Sequence, residues 1–140
     1  PEILTIEITE TAQIENSRQA RQTLAQLRRT GIRLSIDDYG TGQSNLEYLT
    51  EIEADEIKID KRFVMTMRDS RRNLEVVKST IDLAHRLGAV AVAEGIEDAE
   101  TMALLDGLGC DVGQGYHLGK PQLFSELAAT LSAPPQNRTG

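Results

Sequence analysis

The chain has 140 residues, with 22 acidic and 15 basic side chains and a formal net charge of −7 at pH 7. This acidic surplus argues against a protein that wraps DNA or RNA duplexes or lies on an anionic membrane surface. No apolar run approaches the roughly 20 residues of a membrane helix, and a hydrophobic content of 39% is enough for one globular core. The single cysteine, Cys110, cannot form an intrachain disulfide, so we expect a cytoplasmic protein.

Apolar runs of strand length alternate with helical patterns along the chain. The predicted strands are Leu4 to Ile8, Ile32 to Ile36, Glu56 to Ile59, Ala89 to Ala93 and Cys110 to Val112. Two intervening segments show one apolar face with charges opposite, formed by Ala20, Leu24 and Leu27 in the first and by Leu74, Val77, Ile81 and Ala84 in the second. Gly31 and Gly88 are placed to end these helices. Strands separated by helices predict parallel pairing and an α/β domain.

An acidic pair ends the second predicted strand. Asp37 and Asp38 are followed directly by Tyr39-Gly40-Thr41-Gly42. Two adjacent carboxylates repel each other, so a strand end that carries both is stabilised by a bound cation. The alternative is a strand-ending turn, since Asp and Gly are favoured there for local reasons.

Polar groups mark the end of every predicted strand. They are Glu7, Asp37 with Asp38, Lys58, Glu94 and Gln114. The carboxyl ends of parallel strands meet at one edge of the sheet, so we expect a shared site. Carboxylate oxygens suit Mg²⁺ or Mn²⁺, and no Cys/His cluster in the sequence favours zinc. Several carboxylates with a lysine suit two metals and the hydrolysis of a phosphate ester.

The sequence resembles the EAL-domain phosphodiesterases, which cleave cyclic di-GMP. The resemblance is carried by five motifs in the family's order: Leu4-Thr5-Ile6-Glu7-Ile8-Thr9-Glu10, Asp37-Asp38-Tyr39-Gly40-Thr41-Gly42, Ile57-Lys58-Ile59-Asp60, Ala93-Glu94-Gly95-Ile96-Glu97, and Gln114-Gly115-Tyr116 with Lys120-Pro121. It implies a TIM-type (β/α)8 barrel, of which this chain covers about the last five βα units. Residues 1–131 would form the C-terminal portion of an EAL domain, and 132–140 a disordered tail. The Glu-Ala-Leu tripeptide that names the family is absent, as is the asparagine of its third strand.

The resemblance also implies roles for individual residues. Glu7, Asp37 and Glu94 would ligate metal, with Asp37 bridging two divalent cations, Mg²⁺ or Mn²⁺, and Asp38 serving the second. Lys58 and Gln114 would orient the attacking water, so that Lys58, Gln114 and Glu94 are the expected catalytic residues. Glu97 would steady the loop that begins at Asp38 and leads to dimer contacts. The implied reaction opens one phosphodiester of cyclic di-GMP to give the linear dinucleotide, and the residues that bind the substrate are not identified.

Several alternatives stay open. After Gly42 the chain has Gln43-Ser44-Asn45 where the family has an aromatic residue and two serines, which affects the expected dimer contacts. The chain could be a cut-down module that binds a partner or senses cyclic di-GMP without cleaving it, or a sugar-phosphate enzyme on a βα-barrel. An open five-stranded unit would expose its outer strands, so we expect self-association.

A few single residues also have two interpretations. Glu10 and Asp60 are interpreted as capping or loop-bonding groups, and His85 as a capping or solvated group. His117 either contacts substrate or packs in its loop. Cys110 is expected to behave as a small hydrophobe rather than as a ligand or nucleophile.

Overall fold

The computed structural model describes residues 4–9, 18–40, 49 and 52–132. Its strands are β1 (Thr5–Thr9), β2 (Arg33–Tyr39), β3 (Glu56–Ile59), β4 (Val90–Glu94) and β5 (Val112–Gln114). Its helices are α1 (Arg18–Arg29), α2 (Lys61–Thr66), α3 (Arg71–Arg86), α4 (Ala99–Gly107) and α5 (Phe124–Ser132). Helices lie between β1 and β2, between β3 and β4, where α2 and α3 occur together, and between β4 and β5, as the sequence predicts. Most residues between β2 and β3 lie outside the described part of the chain.

The five described strands form one parallel sheet in chain order, β1-β2-β3-β4-β5. Ile8 lies opposite Ile36, Ile57 opposite Ala91, and Glu94 opposite Gln114. Strictly sequential parallel pairing is the order of a βα-barrel, whereas a doubly wound sheet reverses direction at a switch point. The order puts the carboxyl ends of all five strands at one edge.

The fifth strand does not lie where the sequence predicts it. The predicted run Cys110 to Val112 is wrong, because the strand is Val112–Gln114. Gly109 has a φ of +81°, and the amide of Cys110 still donates to the Leu105 carbonyl, so Cys110 belongs to the C-terminal turn of α4. The shift makes Gln114 the last residue of the strand.

Two apolar clusters form the core. The larger lies between β3, β4 and the helices α2 to α4, and the smaller lies on β1 and β2. On α3, the predicted face is confirmed for Val77, Ile81 and Ala84, which are fully buried. The amphipathic helix is therefore held by burial of this stripe against β3 and β4 rather than by propensity alone.

The helix ends follow local chemistry. Gly31 and Gly88 have φ values of +86° and +74°, which confirms their predicted place at helix C-termini. Asp60 is the N-cap of α2, and its side chain accepts a hydrogen bond from the Arg62 amide at 2.7 Å, so its capping role is confirmed. No helix in the described part of the chain combines the length and hydrophobicity needed to span a bilayer.

Some sequence predictions fall outside the described residues. They concern Glu10, the loop residues Thr41 to Asn45, and the tail 132–140 apart from Ser132, the last residue of α5.

Candidate active site

The acidic pair lies in a β-bulge. Between Ile36 and Tyr39, β2 advances three residues while its partner advances two, from Ile57 to Ile59. Asp38 takes up the extra residue with a φ of +56°, a left-handed conformation that Asp tolerates better than most residues. In a regular strand two consecutive side chains point to opposite faces. The bulge instead lets one carboxylate oxygen from each aspartate and one from Glu94 lie within 4.8 Å of one another.

Lys58 lies at the centre of the carboxylates. Its Nζ is 2.8 Å from Oε1 of Glu7, 3.1 Å from Oδ1 of Asp37 and 2.7 Å from Oε1 of Glu94. Residues from β1, β2, β3 and β4 thus meet through one ammonium, whose side chain is only 9% exposed. Burial alone would lower the pKa of Lys58, but its contacts with the three carboxylates outweigh burial and raise the pKa. Lys58 therefore stays charged at any physiological pH.

Asp37 carries a buried carboxylate oxygen beside Lys58. Within the described residues, Oδ1 of Asp37 is buried and lies 3.1 Å from Nζ of Lys58. A carboxylate oxygen has two lone pairs, so this oxygen can contact the ammonium and also bind a metal cation. Together with the oxygens of Asp38 and Glu94, it offers the hard donor set that suits Mg²⁺ or Mn²⁺, so the residues present fit a divalent metal.

The electrostatics of Asp38 support the same interpretation. Burial and the neighbouring charges of Asp37 and Asp60 raise the pKa of Asp38. Asp60 shows the opposite shift: burial would raise its pKa, but hydrogen bonds from Arg62 lower it. A cation placed among these carboxylates would relieve the repulsion that raises the pKa of Asp38.

Gln114 and Glu97 lie beside the carboxylates on the wall of a cavity of about 960 Å³. Other polar and aromatic residues of its lining are Lys61, Glu94, Tyr116, Lys120 and Gln122. Gln114 is placed there by its pairing with Glu94 across β4 and β5. The cavity therefore lies between Glu94, at the end of β4, and the loop that follows β5.

Two glycines explain how β5 reaches its position. A Cβ on Gly115 would lie 2.1 Å from the carbonyl oxygen of Ile96, and a Cβ on Gly113 would lie 2.6 Å from the Ile96 side chain. The close approach allows Ile96 N to donate to the Gln114 carbonyl at 3.1 Å, and His117 N to donate to the Ile96 carbonyl at 3.0 Å. These glycines serve packing against the loop after β4. The sugar-phosphate alternative, which calls for a glycine-rich phosphate loop here, gains no support from them.

The remaining sequence candidates are not among the side chains that contact Lys58. His85 on α3 forms an exposed pair with Asp111, at 2.8 Å from Nε2 to Oδ2, rather than a cap on its own helix. Cys110 is half-buried, and burial raises the pKa of its thiol, which opposes a nucleophilic role. His117 lies in the exposed loop after β5, and its backbone, not its ring, makes the bond to Ile96.

The sequence interpretation missed one interaction. Asp60 caps α2 as expected, yet its negative charge also raises the pKa of Asp38. The available signal was position: Asp60 directly follows β3, at the edge of the sheet where β2 carries Asp38.

Similar proteins were found by sequence and by structure. A model of the EAL domain family matches residues 1–121. Cyclic di-GMP phosphodiesterase NbdA of Pseudomonas aeruginosa is 38% identical over 130 residues, which make up 93% of this chain and 17% of NbdA. The chain therefore spans less than a fifth of that relative's length.

Two solved structures share the fold. The PaMucR phosphodiesterase in its c-di-GMP complex has a TM-score of 0.85 and 35% identity, with coverage of 91% of this chain and 51% of that one. BlrP1 of Klebsiella pneumoniae, in a manganese and cyclic di-GMP complex, has a TM-score of 0.75 and 37% identity, with coverage of 83% and 30%. The predicted TIM-barrel type of fold is thereby confirmed. The chain belongs to the EAL domain family.

Proposed function

We propose that this chain carries part of the catalytic centre of a metal-dependent phosphodiesterase that hydrolyses cyclic di-GMP to the linear dinucleotide. The observation that carries the proposal is the bulge in β2, with which one carboxylate oxygen each of Asp37, Asp38 and Glu94 lie within 4.8 Å of one another. NbdA is named a cyclic di-GMP phosphodiesterase, and the PaMucR structure is a c-di-GMP complex. Both names support cyclic di-GMP as the proposed substrate.

Asp37, Asp38 and Glu94 would hold divalent cations, with Glu7 as a further ligand. We propose two cations, Mg²⁺ or Mn²⁺, with Asp37 bridging them, and the manganese complex of BlrP1 supports this class of ion. When bound, such ions would lower the pKa of water and offset the charge of the phosphodiester. An acidic chain of net charge −7 needs that positive charge to bind an anionic dinucleotide.

The chain's own side chains would orient the reaction. Lys58 keeps its charge and lies within 3.1 Å of three carboxylates. Beside the proposed metal ligands it can hold a water molecule or stabilise the developing negative charge. Gln114, opposite Glu94 on the cavity wall, offers an amide that can donate to and accept from a water. The proposed catalytic residues are therefore Lys58, Gln114 and Glu94. Glu97 is proposed to steady the loop after Asp38.

The cavity beside Gln114 is the proposed entrance for the substrate. At about 960 Å³ it is within the usual range for small-molecule sites. Its lining includes the cation Lys61 and the aromatic ring of Tyr116, groups that suit phosphates and nucleobases.

The proposal includes self-association and a cytoplasmic location. Self-association is supported by the outer strand β5, all of whose residues are exposed. A reducing compartment is supported by the lone, half-buried thiol of Cys110.

The test is the conversion of cyclic di-GMP by the natural polypeptide that carries this sequence, with Mn²⁺ present and the product separated by chromatography. We expect the linear dinucleotide, and we expect Asp37→Asn to lose nearly all turnover because it removes the bridging carboxylate. Exposed Glu75→Gln on α3 removes the same charge away from the site and is the matched control. Binding of cyclic di-GMP without turnover would contradict the proposal and favour a module that only senses the dinucleotide.

A further inference from the structure

The end of β4 lies directly against the start of α2. The pairing of β3 with β4 ends where Ile59 lies opposite Ala93. Two residues further along each chain, Gly95 packs against Lys61, the first residue of α2. A Cβ added to Gly95 would also lie 3.5 Å from Cγ of Met65, one turn later on the same helix. The two segments therefore stay in contact beyond the last pair of the β3–β4 ladder.

This contact depends on the absence of a side chain at Gly95. A Cβ built there would lie 2.6 Å from Cβ of Lys61 and 3.3 Å from its Cα. Carbon atoms in favourable contact lie about 3.5–4.0 Å apart. The Cβ of Lys61 is bonded to the helix backbone, so it cannot swing aside as the end of a long side chain can. Gly95 also has a φ of +75°, which residues with a Cβ seldom adopt.

Each side of the contact carries a residue of the candidate site. Glu94 directly precedes Gly95, and Lys58 lies three residues before Lys61. The side chains of Lys58 and Glu94 meet at 2.7 Å, from Nζ to Oε1. Glu94 also contributes an oxygen to the group of three that we propose as the metal site. If a larger residue at 95 pushed the two segments apart, Glu94 or Lys58 would move with the backbone to which it belongs.

We propose that Gly95 is a positioning residue, whose close contact with Lys61 sets the distance between the end of β4 and α2. That distance holds Glu94 in place as a metal ligand beside Lys58. The inference rests on the proposed function, because it assigns a supporting contact to the same metal site. It goes further in giving a task to the glycine of the Ala93-Glu94-Gly95-Ile96-Glu97 motif.

The experiment is calorimetric titration of Mn²⁺ into the metal-stripped natural polypeptide that carries this sequence. Gly95→Ala is expected to bind Mn²⁺ about 10-fold more weakly than the unaltered protein, the lower end of the loss when the support of a metal ligand is removed.

Gly88→Ala is the matched control, because it has the same backbone strain without the contact. Gly88 has a φ of +74°, and in the described part of the chain nothing lies within 4 Å of a Cβ added there. This variant is expected to unfold at a lower temperature and to bind Mn²⁺ as tightly as the unaltered protein.

Changes at Lys61 separate the contact from the charge. Lys61→Gly removes the Cβ that a side chain at 95 would meet, whereas Lys61→Ala keeps it, and both remove the ammonium. Gly95→Ala combined with Lys61→Gly is expected to bind Mn²⁺ within about 2-fold of Lys61→Gly alone. Gly95→Ala combined with Lys61→Ala is expected to stay about 10-fold weaker than Lys61→Ala alone.

Thermal unfolding in chelator verifies that each variant is folded. If Gly95→Ala does not fold, its combination with Lys61→Gly carries the test. Failure of that double variant to regain Mn²⁺ binding would then overturn the inference.

The other outcomes distinguish this inference from the proposed function. If the unaltered protein binds Mn²⁺, Asp37→Asn does not, and Gly95→Ala binds as tightly as the unaltered protein, the inference is overturned and the metal site stands. An equal loss in Gly88→Ala, or equal recovery with Lys61→Ala and Lys61→Gly, would also overturn it, because strain or charge would then explain the effect. Absence of Mn²⁺ binding by the unaltered protein would contradict the proposed function and the inference together.

Discussion

At the scale of single residues, Lys58 is the group on which the carboxylates converge. Lys58→Met removes an ammonium that lies within 3.1 Å of Glu7, Asp37 and Glu94 and leaves their charges facing one another. We expect a loss of about 2 kcal/mol in the free energy of unfolding, less than for a fully buried pair because Glu7 is half exposed. The measurement is denaturant unfolding in chelator, repeated with Mn²⁺.

Added Mn²⁺ is expected to recover part of that stability in Lys58→Met, because a divalent cation can neutralise the same carboxylates. Turnover is expected to stay low under both conditions, since Lys58 orients the reacting groups. Full activity in a stable Lys58→Met variant would contradict the role given to this residue.

Asp38 is predicted to lower stability in the absence of metal. Its pKa is raised in the folded protein, so the stability linked to it is present below its ordinary pKa of 3.8 and is lost as pH rises through the folded value. At neutral pH the ionised side chain is therefore destabilising. Asp38→Asn is expected to raise the free energy of unfolding at pH 7 in chelator by less than about 1 kcal/mol, since the site is partly exposed.

The pH dependence checks the sign of this effect. Between pH 7 and pH 4 the advantage of Asp38→Asn over the unaltered protein is expected to shrink, because the native carboxyl takes up its proton. Asn also tolerates the left-handed backbone at this position, so the substitution adds no strain. A lower stability of Asp38→Asn at pH 7 would mean that Asp38 is held by favourable contacts instead of opposed by repulsion.

The candidate site residues could be proposed from the sequence, because Glu7, Asp37, Lys58, Glu94 and Gln114 each lie at the end of an apolar run. Their mutual geometry could not. Asp-Asp-Tyr-Gly fits a turn as well as it fits a bulged strand, and only pairing with β3 selects the bulge. The repulsion between Asp38 and Asp60 likewise depends on how two neighbouring strands end.

At the scale of elements, the approach of β5 to the loop after β4 depends on glycine. In Gly115→Ala the new Cβ would meet the Ile96 backbone at 2.1 Å, and a backbone neighbour cannot move aside as a flexible side chain can. We expect a loss of about 3 kcal/mol in stability, the upper end for overpacking, and displacement of Gln114 with a fall in turnover. Thermal unfolding and the hydrolysis assay measure the two effects.

Gly107→Ala is the matched control, because nothing lies within 4 Å of a Cβ added there and Gly107 ends α4. Its stability is expected to stay the same or rise slightly. Equal behaviour of the two alanine variants would mean that β5 does not need this close contact.

The alternation of strands and helices was predictable from periodicity, and so were the glycines that end α1 and α3. The start of β5 was not, because Cys110 is apolar and precedes an apolar valine, which resembles a strand in the sequence. The chain there is still turning out of α4, as the bond from Cys110 to Leu105 shows. The C-terminal turn of α4 therefore determines the backbone at Cys110, and the strand begins only at Val112.

At the scale of the whole molecule, apolar surface lies around the last strand and helix. Val112 is 47% exposed, Leu118 50% and Phe124 85%. A polypeptide limited to these 140 residues is therefore expected to self-associate, and sedimentation velocity should show species larger than 15.4 kDa. Val112→Lys, which places a charge on the outer strand, is expected to reduce the association. A single 15.4 kDa species at high concentration would contradict the expectation.

The parallel order of the sheet follows from the sequence because every strand is separated from the next by helical pattern. The sequence does not predict what packs against the outer strands β1 and β5, because that depends on other segments or chains. The relatives place the same βα units within longer proteins, and the chain spans 17% of NbdA.

The metal site is tested most directly by anomalous diffraction at the manganese edge, from crystals of the natural polypeptide grown with Mn²⁺. We predict anomalous density bounded by the carboxylates of Asp37, Asp38 and Glu94, and its loss in Asp37→Asn crystals. Density confined to other acidic groups, or equal density in the Asp37→Asn protein, would contradict the proposal that the bulge in β2 exists to hold a divalent cation.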